Sequence, residues 1–330
     1  MEHLLETKDL SISFLLRGQW LQAVTGVSFH VNKGETFGIV GESGCGKSVT
    51  NMAMLHLLPP TTSRIDSGQV VYKGQDITEY DNREMSKVRG KEISMIFQDS
   101  MTSLNPSMTI GAQLMEAARL HGKMPRAEAR LSALGLLDKV GLSSPMKRFK
   151  EYPHQLSGGM RQRVMIAMAL IQEPSLLIAD EPTTALDVTI QAQILRLMKD
   201  LRSDNELSII LITHDMGVVA QMADRIMVMY AGNVMETAAA RDLFHDPLHP
   251  YSQGLLRSIP RSDKTTEELR SIPGTVPSLR EMPSGCRFCT RCPFCSSRCE
   301  KAAPPLFSKG NHEVRCWLYE NEEVRRGSFA

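Results

Sequence analysis

The sequence predicts an α/β fold, because a strand, a glycine-rich loop and a helix follow one another near the N-terminus. Residues 36–40 form an apolar run of strand character, and apolar residues then recur at helical spacing over 49–58, until Pro59-Pro60 ends them. Between the two lies Gly41-Glu42-Ser43-Gly44-Cys45-Gly46-Lys47-Ser48, which matches the phosphate-binding pattern G-x-x-x-x-G-K-[ST]. This order of strand, loop and helix is the setting in which the pattern binds phosphate.

The residue types of this loop suit phosphate binding. Glycines at 41, 44 and 46 let the backbone turn its N–H groups inward, and the helix N-terminus adds its positive dipole end. Lys47 is predicted to contact the β- and γ-phosphates, and Ser48 to bind Mg²⁺. Cys45 is predicted to be a small filler residue rather than a redox group, with a pKa lowered and a thiolate made more reactive by the nearby helix N-terminus. The predicted nucleotide-binding residues of this segment are Gly41, Ser43, Gly44, Cys45, Gly46, Lys47, Ser48 and Val49.

Composition limits the class of protein. The 330 residues are 42% hydrophobic, which is enough for one large or two moderate domains with a real core. A formal net charge of +1 gives no bulk attraction to nucleic acid or to anionic membranes, so no nucleic-acid partner is expected. The first residues show no basic region followed by a long apolar run, and no apolar stretch approaches the ~20 residues that span a bilayer. A cytosolic chain is therefore expected.

The rest of the chain alternates between strand and helix patterns. Over residues 4–40 apolar and polar residues often alternate, which predicts an antiparallel strand layer with a turn at 32–34. Between about 108 and 165 apolar residues recur at helical spacing, which predicts an inserted helical subdomain. Further strands are predicted over residues 67–74, 92–97, 175–179 and 208–213.

Polar side chains follow three of these strands, where parallel strands of an open sheet place their binding residues. Gln98 is predicted to bind Mg²⁺ or to orient the attacking water. Asp180 is predicted to hold Mg²⁺ through water or Ser48, and Glu181 to polarise the hydrolytic water. His214 is predicted to hydrogen-bond a γ-phosphate. The alternatives are ordinary loop and strand-end turn residues and, for the histidine, a structural polar contact.

Two further candidates have strong structural alternatives. Ser157-Gly158-Gly159 begins a helix pattern, so its N–H groups are predicted to form a second anion-binding end. Plain serine capping is equally consistent with these residues. Phe14 is predicted to stack on an adenine ring, although a packed strand aromatic is the simpler interpretation of this residue alone.

The order of these segments is more specific than any one of them. Together with residues 156–162 and Ala185-Leu186-Asp187, they resemble the motif series of ABC-type ATPase subunits over residues 1–240. One departure is Met160, which stands where that family usually has glutamine. The resemblance implies that Phe14 stacks on adenine, Gln98 is the Q-loop glutamine, Ser157 and Gly159 contact the ATP of a partner subunit, Glu181 is the catalytic base, Asp187 is the dimer-contact aspartate and His214 is the switch histidine.

A finer resemblance lies in residues 99–106, 179–191, 249–251 and 272–277, which are similar to the ATP-binding subunits of oligopeptide and dipeptide importers. It implies a P-loop ABC-type ATPase core (1–240) with an antiparallel β layer and the helical subdomain, then a loop-rich C-terminal extension (241–330). It also implies ATP and Mg²⁺, peptide import and a position on the cytoplasmic face of the inner membrane. The implied partners are a second homologous ATPase subunit in a heterodimer, two membrane permease subunits and an extracytoplasmic substrate-binding protein. The alternatives are a nickel, other metal or glutathione importer, and a soluble non-transport ABC ATPase.

Six of the seven cysteines lie between residues 286 and 316, which in a reducing compartment indicates a metal site. Cys289, Cys292, Cys295 and Cys299 have the C-x₂-C-x₂-C-x₃-C spacing of bacterial ferredoxins, with Glu300 in place of the usual proline. The importer family implies a different set of ligands for a four-iron four-sulfur cluster, with structural Zn²⁺ as the alternative. That set is Cys286, Cys292, Cys299 and Cys316.

Overall fold

The computed structural model describes residues 3–98, 103–122, 124–184, 186–259 and 272–320. Packing of the backbone divides the chain into two compact units. The first comprises the described residues of Met1–Val31, Thr36–Thr78 and Thr213–Ala330, and the second those of Asn32–Glu35 and Glu79–Ile212. The phosphate loop and the described C-terminal extension are therefore parts of the same unit.

The strands, in chain order, are β1 (Leu5–Leu16), β2 (Gln19–Val31), β3 (Thr36–Val40), β4 (Ser63–Tyr72), β5 (Gln75–Asp76), β6 (Ile93–Ile96), β7 (Leu176–Asp180), β8 (Ser208–Thr213), β9 (Arg225–Tyr230), β10 (Asn233–Ala239), β11 (Phe307–Lys309) and β12 (His312–Val314). The α-helices are α1 (Lys47–Met54), α2 (Asn82–Val88), α3 (Ile110–Arg119), α4 (Arg126–Lys139), α5 (Pro145–Arg148), α6 (Gly158–Leu170), α7 (Val188–Asn205), α8 (Met216–Met222), α9 (Ala240–His245), α10 (Pro250–Arg257) and α11 (Ser297–Lys301).

The first unit contains the predicted antiparallel layer. Its strands lie in the order β2-β1-β4-β5, and each pair is antiparallel. The alternation of apolar residues was the signal for this layer, and it places Leu10 and Ile12 of β1 in the core. The strand predicted to begin at Ser67 begins at Ser63 instead.

A second sheet in this unit supports the phosphate loop. β3 runs parallel to β9, β9 is antiparallel to β10, and β12 pairs with β10 and β11. All five residues of β3 are buried, as the apolar run predicted. The extension therefore adds two short strands to the sheet that delivers the loop, a connection that its sequence did not indicate.

Helix α1 ends at Met54, so the prediction that helical spacing continues to Leu58 is wrong. His56 adopts the left-handed conformation with a φ of 51°, and the Leu57 N–H donates to the Met52 carbonyl at 2.9 Å. This is the Schellman arrangement, which closes a helix by satisfying its last carbonyls. Local backbone hydrogen bonds, and not the two prolines, terminate the helix.

The second unit contains a parallel sheet and the helices predicted to be inserted. β7 pairs with β6 on one side and with β8 on the other, in parallel register. Every residue of β7 and β8 is buried, which explains their continuous apolar sequences. Helices α3 to α5 lie within the stretch predicted to be helical, and α6 begins inside it but continues to Leu170, beyond the predicted end at about 165. None of the helices in the described parts of the chain is long and apolar enough to cross a membrane.

A buried carboxylate ties the extension to β10. The side chain of Glu236 is fully buried and accepts hydrogen bonds from the backbone N–H groups of Leu248 (2.7 Å) and His249 (2.8 Å). It also pairs with Nε2 of His312 on β12 at 2.6 Å. Burial lowers the pKa of His249 to about 4, so its neutral ring accepts a hydrogen bond from the Tyr251 N–H and caps α10.

This arrangement predicts the effect of Glu236→Ala. The change leaves two buried N–H groups without their acceptor, which costs about 2–6 kcal/mol of the free energy of unfolding at the usual penalty of about 1–3 kcal/mol per group. Thermal unfolding should show a lower Tm for Glu236→Ala and a smaller loss for Glu236→Gln, which keeps one acceptor oxygen. Glu300→Gln, at an exposed position of the same extension, is the control. Equal stability of Glu236→Ala and wild type would contradict this role.

Candidate functional site

The glycines of the phosphate loop have the backbone conformations that the pattern predicts. Gly41, Gly44 and Gly46 have φ values of 154°, 79° and 101°. At Gly41 a side chain is excluded by lack of space as well as by the φ value. A Cβ atom there would lie 2.2 Å from the Met229 carbonyl oxygen and 2.7 Å from Sγ of Cys45. The loop conformation is therefore incompatible with a side chain at its first residue.

Lys47 lies within the curve of the loop and begins α1. Its ammonium donates to the carbonyl oxygens of Gly41 (2.7 Å) and Glu42 (3.1 Å), and its side chain is almost completely buried. The first turn of the helix is held by Thr50, whose hydroxyl donates to the Gly46 carbonyl at 2.9 Å. Ser48 and Val49 lie in the same turn and are half-buried, while Ser43 is exposed.

The prediction that Cys45 has a lowered pKa is wrong. Its side chain is fully buried, and the removal of the thiol from water raises its pKa, while the nearby Lys47 ammonium opposes this shift less strongly. Nζ of Lys47 lies 3.7 Å from the sulfur. Cys45 is thus a small buried residue, as predicted for this position.

Glu42 is held by residues far along the chain that were not predicted as part of the site. Its N–H donates to Oη of Tyr251 at 3.0 Å, and its carboxylate pairs with the guanidinium of Arg291 through two hydrogen bonds of 2.8 and 3.1 Å. A carboxylate inside a loop that binds anions was the available signal, since such a group needs a nearby cation. Motifs and spacing alone do not single out Arg291 among the basic residues of the chain.

In the second unit, Gln98 and Glu181 lie together as predicted for two strand ends. Nε2 of Gln98 donates to Oε2 of Glu181 at 2.9 Å, and the Thr184 hydroxyl donates to the same oxygen at 2.8 Å. Glu181 has a φ of 46°, a left-handed conformation that is unfavourable for this residue type. Strain of this kind concentrates at functional sites. Asp180 precedes it as the last, buried residue of β7.

Two helix N-termini of the second unit pack against each other. Ser157 caps α6 by accepting from the Met160 N–H, and Asp187 caps α7 by accepting from the Ile190 N–H. A Cβ atom at Gly159 would lie 2.6 Å from Cγ2 of Ile190, so glycine allows the close approach of the two segments. Gly158 lies beside the same contact. Predicted signature and dimer-contact residues therefore share one surface region.

The remaining predicted residues occupy simpler positions. Phe14 is half-buried in β1, where it pairs with Leu21 on β2 and Ser63 on β4. His214 is exposed and directly follows β8. Ala185 and residues 99–102, which belong to the motifs above, lie outside the described residues.

The cysteines of the extension surround a cavity of about 220 Å³, which is lined by Cys286, Cys289, Cys292, Cys299 and Cys316. Cys295 is exposed and is not part of this lining. Burial raises the pKa of Cys286 and of Cys316 to about 12. Across the described residues, no three His, Cys, Asp or Glu side chains are grouped so that they could hold one metal ion.

Comparison with known proteins gives the family. A family model described as "ABC transporter" matches residues 24–184, and one described as "Oligopeptide/dipeptide transporter, C-terminal region" matches residues 235–299. The dipeptide transport ATP-binding protein DppD of Bacillus subtilis (strain 168) is 52% identical over 321 residues, which cover 97% of this chain and 96% of that protein. The chain belongs to the ATP-binding subunits of peptide ABC transporters. Members of this family are ATPases coupled to transport.

A second relative and a solved structure support the same family and fold. The oligopeptide transport ATP-binding protein OppD of the same organism is 52% identical over 96% of this chain and 88% of that protein. Among solved structures, a dimeric post-hydrolysis state of the ATP-binding cassette MJ0796 bound to ADP and Pi matches with a TM-score of 0.65 and 28% identity. That match covers 72% of this chain and 99% of the other. The ABC ATPase fold of the subunit is thereby confirmed.

Proposed function

We propose that this subunit hydrolyses ATP to power the import of peptides through a membrane ABC transporter. The observation that carries the proposal is the similarity to peptide transport ATP-binding proteins along nearly the whole chain, including the C-terminal region. The subunit would lie at the cytoplasmic face of the inner membrane, beneath two permease subunits that a substrate-binding protein supplies. The phosphate loop and the strand-end residues belong to its proposed nucleotide site.

Each group has one task in hydrolysis. The phosphate loop binds the β- and γ-phosphates through its N–H groups and Lys47, and Ser48, Asp180 and Gln98 would hold Mg²⁺, which would neutralise phosphate charge. Glu181 accepts the proton of the attacking water, and the hydrogen bonds from Gln98 and Thr184 orient its carboxylate. Phe14 contacts adenine. His214 contacts the γ-phosphate.

The active form contains two ATPase subunits. Ser157, Gly158 and Gly159 begin helix α6, whose N-terminus favours an anion, and Asp187 lies beside them. These residues contact the ATP held by the phosphate loop of a second, homologous subunit. Hydrolysis therefore requires the pair, and a single subunit on its own is expected to be a poor ATPase.

The cysteine cavity binds a four-iron four-sulfur cluster in this proposal. The family set of Cys286, Cys292, Cys299 and Cys316 lines one cavity, whereas the ferredoxin-type set needs the exposed Cys295. Structural Zn²⁺ is the alternative for the same cysteines. The resemblance to the importer family, and not the geometry of the cavity, supports the cluster over zinc. Its role is structural: it holds an extension rich in prolines and loops.

Glu181→Gln tests the proposed reaction in the assembled transporter. The variant should bind ATP with unchanged affinity, while hydrolysis slows by at least ~10²-fold because the general base is lost. Vesicles that contain the whole complex should then lose peptide uptake in parallel. ATP turnover of the Glu181→Gln complex near the wild-type rate would place the base elsewhere.

The same vesicles distinguish the alternative functions. A panel of dipeptides, oligopeptides, glutathione and nickel complexes should give ATP-dependent uptake of the peptides. Uptake of nickel or glutathione alone would contradict peptide import. Failure of the subunit to co-purify with membranes would favour a soluble ABC ATPase.

Single Cys→Ser variants test the cysteine assignment. After anaerobic purification, Cys286→Ser and Cys316→Ser should lose iron and acid-labile sulfide, whereas Cys295→Ser should retain both, since Cys295 lies outside the cavity lining. Metal analysis and the visible absorption of the cluster provide the readout. Cluster loss in Cys295→Ser with retention in Cys316→Ser would support the ferredoxin-type set, and zinc without iron in wild type would replace the cluster.

A further inference from the structure

The phosphate loop is joined to the C-terminal extension by an ion pair between a buried guanidinium and a partly exposed carboxylate. Arg291 lies in the 3₁₀ turn Cys289–Arg291 of the extension, and its side chain is only 5% exposed. Its guanidinium donates to both carboxylate oxygens of Glu42, the second residue of the loop, at 2.8 and 3.1 Å. A paired arrangement of this kind fixes direction as well as distance, because both partners are planar.

The guanidinium is oriented by other groups as well. It donates to the carbonyl oxygens of Pro273 (2.8 Å) and Ile272 (3.1 Å) and contacts Oη of Tyr230 at 3.4 Å. Its carbon also lies 5.6 Å from the centroid of the Tyr230 ring. Arg291 is thus held by the extension and by β9, and presents a fixed cation to Glu42.

Tyr251 of helix α10 holds the same loop residue by its backbone. Its hydroxyl accepts the Glu42 N–H at 3.0 Å, and its ring is fully buried against Tyr230 and Phe288, with ring centroids 4.8 and 5.3 Å away. Glu42 is therefore fixed at both its side chain and its amide.

The backbone of Glu42 also contacts the side chain of Lys47. The Lys47 ammonium donates to the carbonyl oxygen of Glu42 at 3.1 Å, as well as to that of Gly41. We infer that Arg291 and Tyr251 are positioning residues for nucleotide binding, which act through Glu42 on the shape of the phosphate loop. The extension is then part of the nucleotide site and not only an appendage. This inference rests on the proposed binding of ATP by the loop, but it does not depend on peptide import or on the cysteine cluster.

Arg291→Gln tests the inference in the full-length protein. ATP affinity, measured by titration with a fluorescent ATP analogue, should fall by about tenfold or more, the usual scale for losing one partner of a buried charge pair. Hydrolysis at saturating ATP in the assembled transporter should change far less than the KM for ATP. Arg291→Lys keeps the charge and should restore part of the affinity. Arg280→Gln, at an exposed position of the same extension, is the control and should bind ATP like wild type.

A double-mutant cycle separates positioning from a general loss of structure. In the Glu42→Gln background, Arg291→Gln should weaken ATP binding much less than in wild type, because the partner is already gone. Equal effects in both backgrounds would indicate a purely structural role and would overturn the inference.

Tyr251→Phe keeps the test decisive if Arg291→Gln does not fold. It removes only the hydroxyl that accepts the Glu42 N–H, and should weaken ATP binding about two- to tenfold at the usual value of one hydrogen bond. If wild type binds ATP while Tyr251→Phe binds it equally well with the same Tm, the inference is wrong. If wild type itself does not bind ATP, the proposed function fails instead.

Discussion

The pair between Glu42 and Arg291 is the interaction through which we infer that the extension shapes the phosphate loop. A buried ion pair is costly to desolvate, and it is retained only where further hydrogen bonds satisfy both partners. Here two backbone carbonyl oxygens accept further hydrogen bonds from the Arg291 guanidinium, and Oη of Tyr251 accepts a hydrogen bond from the Glu42 N–H. Because the Glu42 carbonyl in turn accepts from Lys47, the pair connects a distant turn of the chain to the lysine proposed to bind phosphate.

In each of the two units a buried strand leads into residues that belong to the proposed site. In the first, a buried strand delivers glycines with left-handed φ values to the start of α1, which directs N–H groups inward. In the second, buried strand β7 delivers Asp180 and Glu181, and serine and aspartate cap the helices α6 and α7. Buried strands thus position the residues proposed for catalysis, and helix N-termini supply the proposed anion-binding ends.

The parts of the site that local sequence determines were predictable. The strand predicted over 208–213 has those bounds, and Ser157 caps its helix, which is the structural alternative considered for that residue. The end of α1 was not predicted, because the left-handed residue that follows it is His56. Glycine usually occupies this position, and its absence left the helix end without its usual mark in the sequence. The predicted direction of the Cys45 pKa shift was wrong, because burial raises this pKa and that effect is the largest one. Burial depends on tertiary packing, which the local sequence does not show. Arg291 lies 249 residues from Glu42, so periodicity and motif spacing carry no information about their contact.

The central claim is that the extension holds the phosphate loop in its binding shape, and hydrogen exchange at the Glu42 amide tests it most directly. This N–H donates to Tyr251, so its exchange reports whether α10 and the loop stay together without nucleotide. The amide should exchange more slowly in wild type than in Tyr251→Phe, by roughly two- to tenfold for the loss of one hydrogen bond. Equal exchange of this amide in the two proteins would contradict the claim.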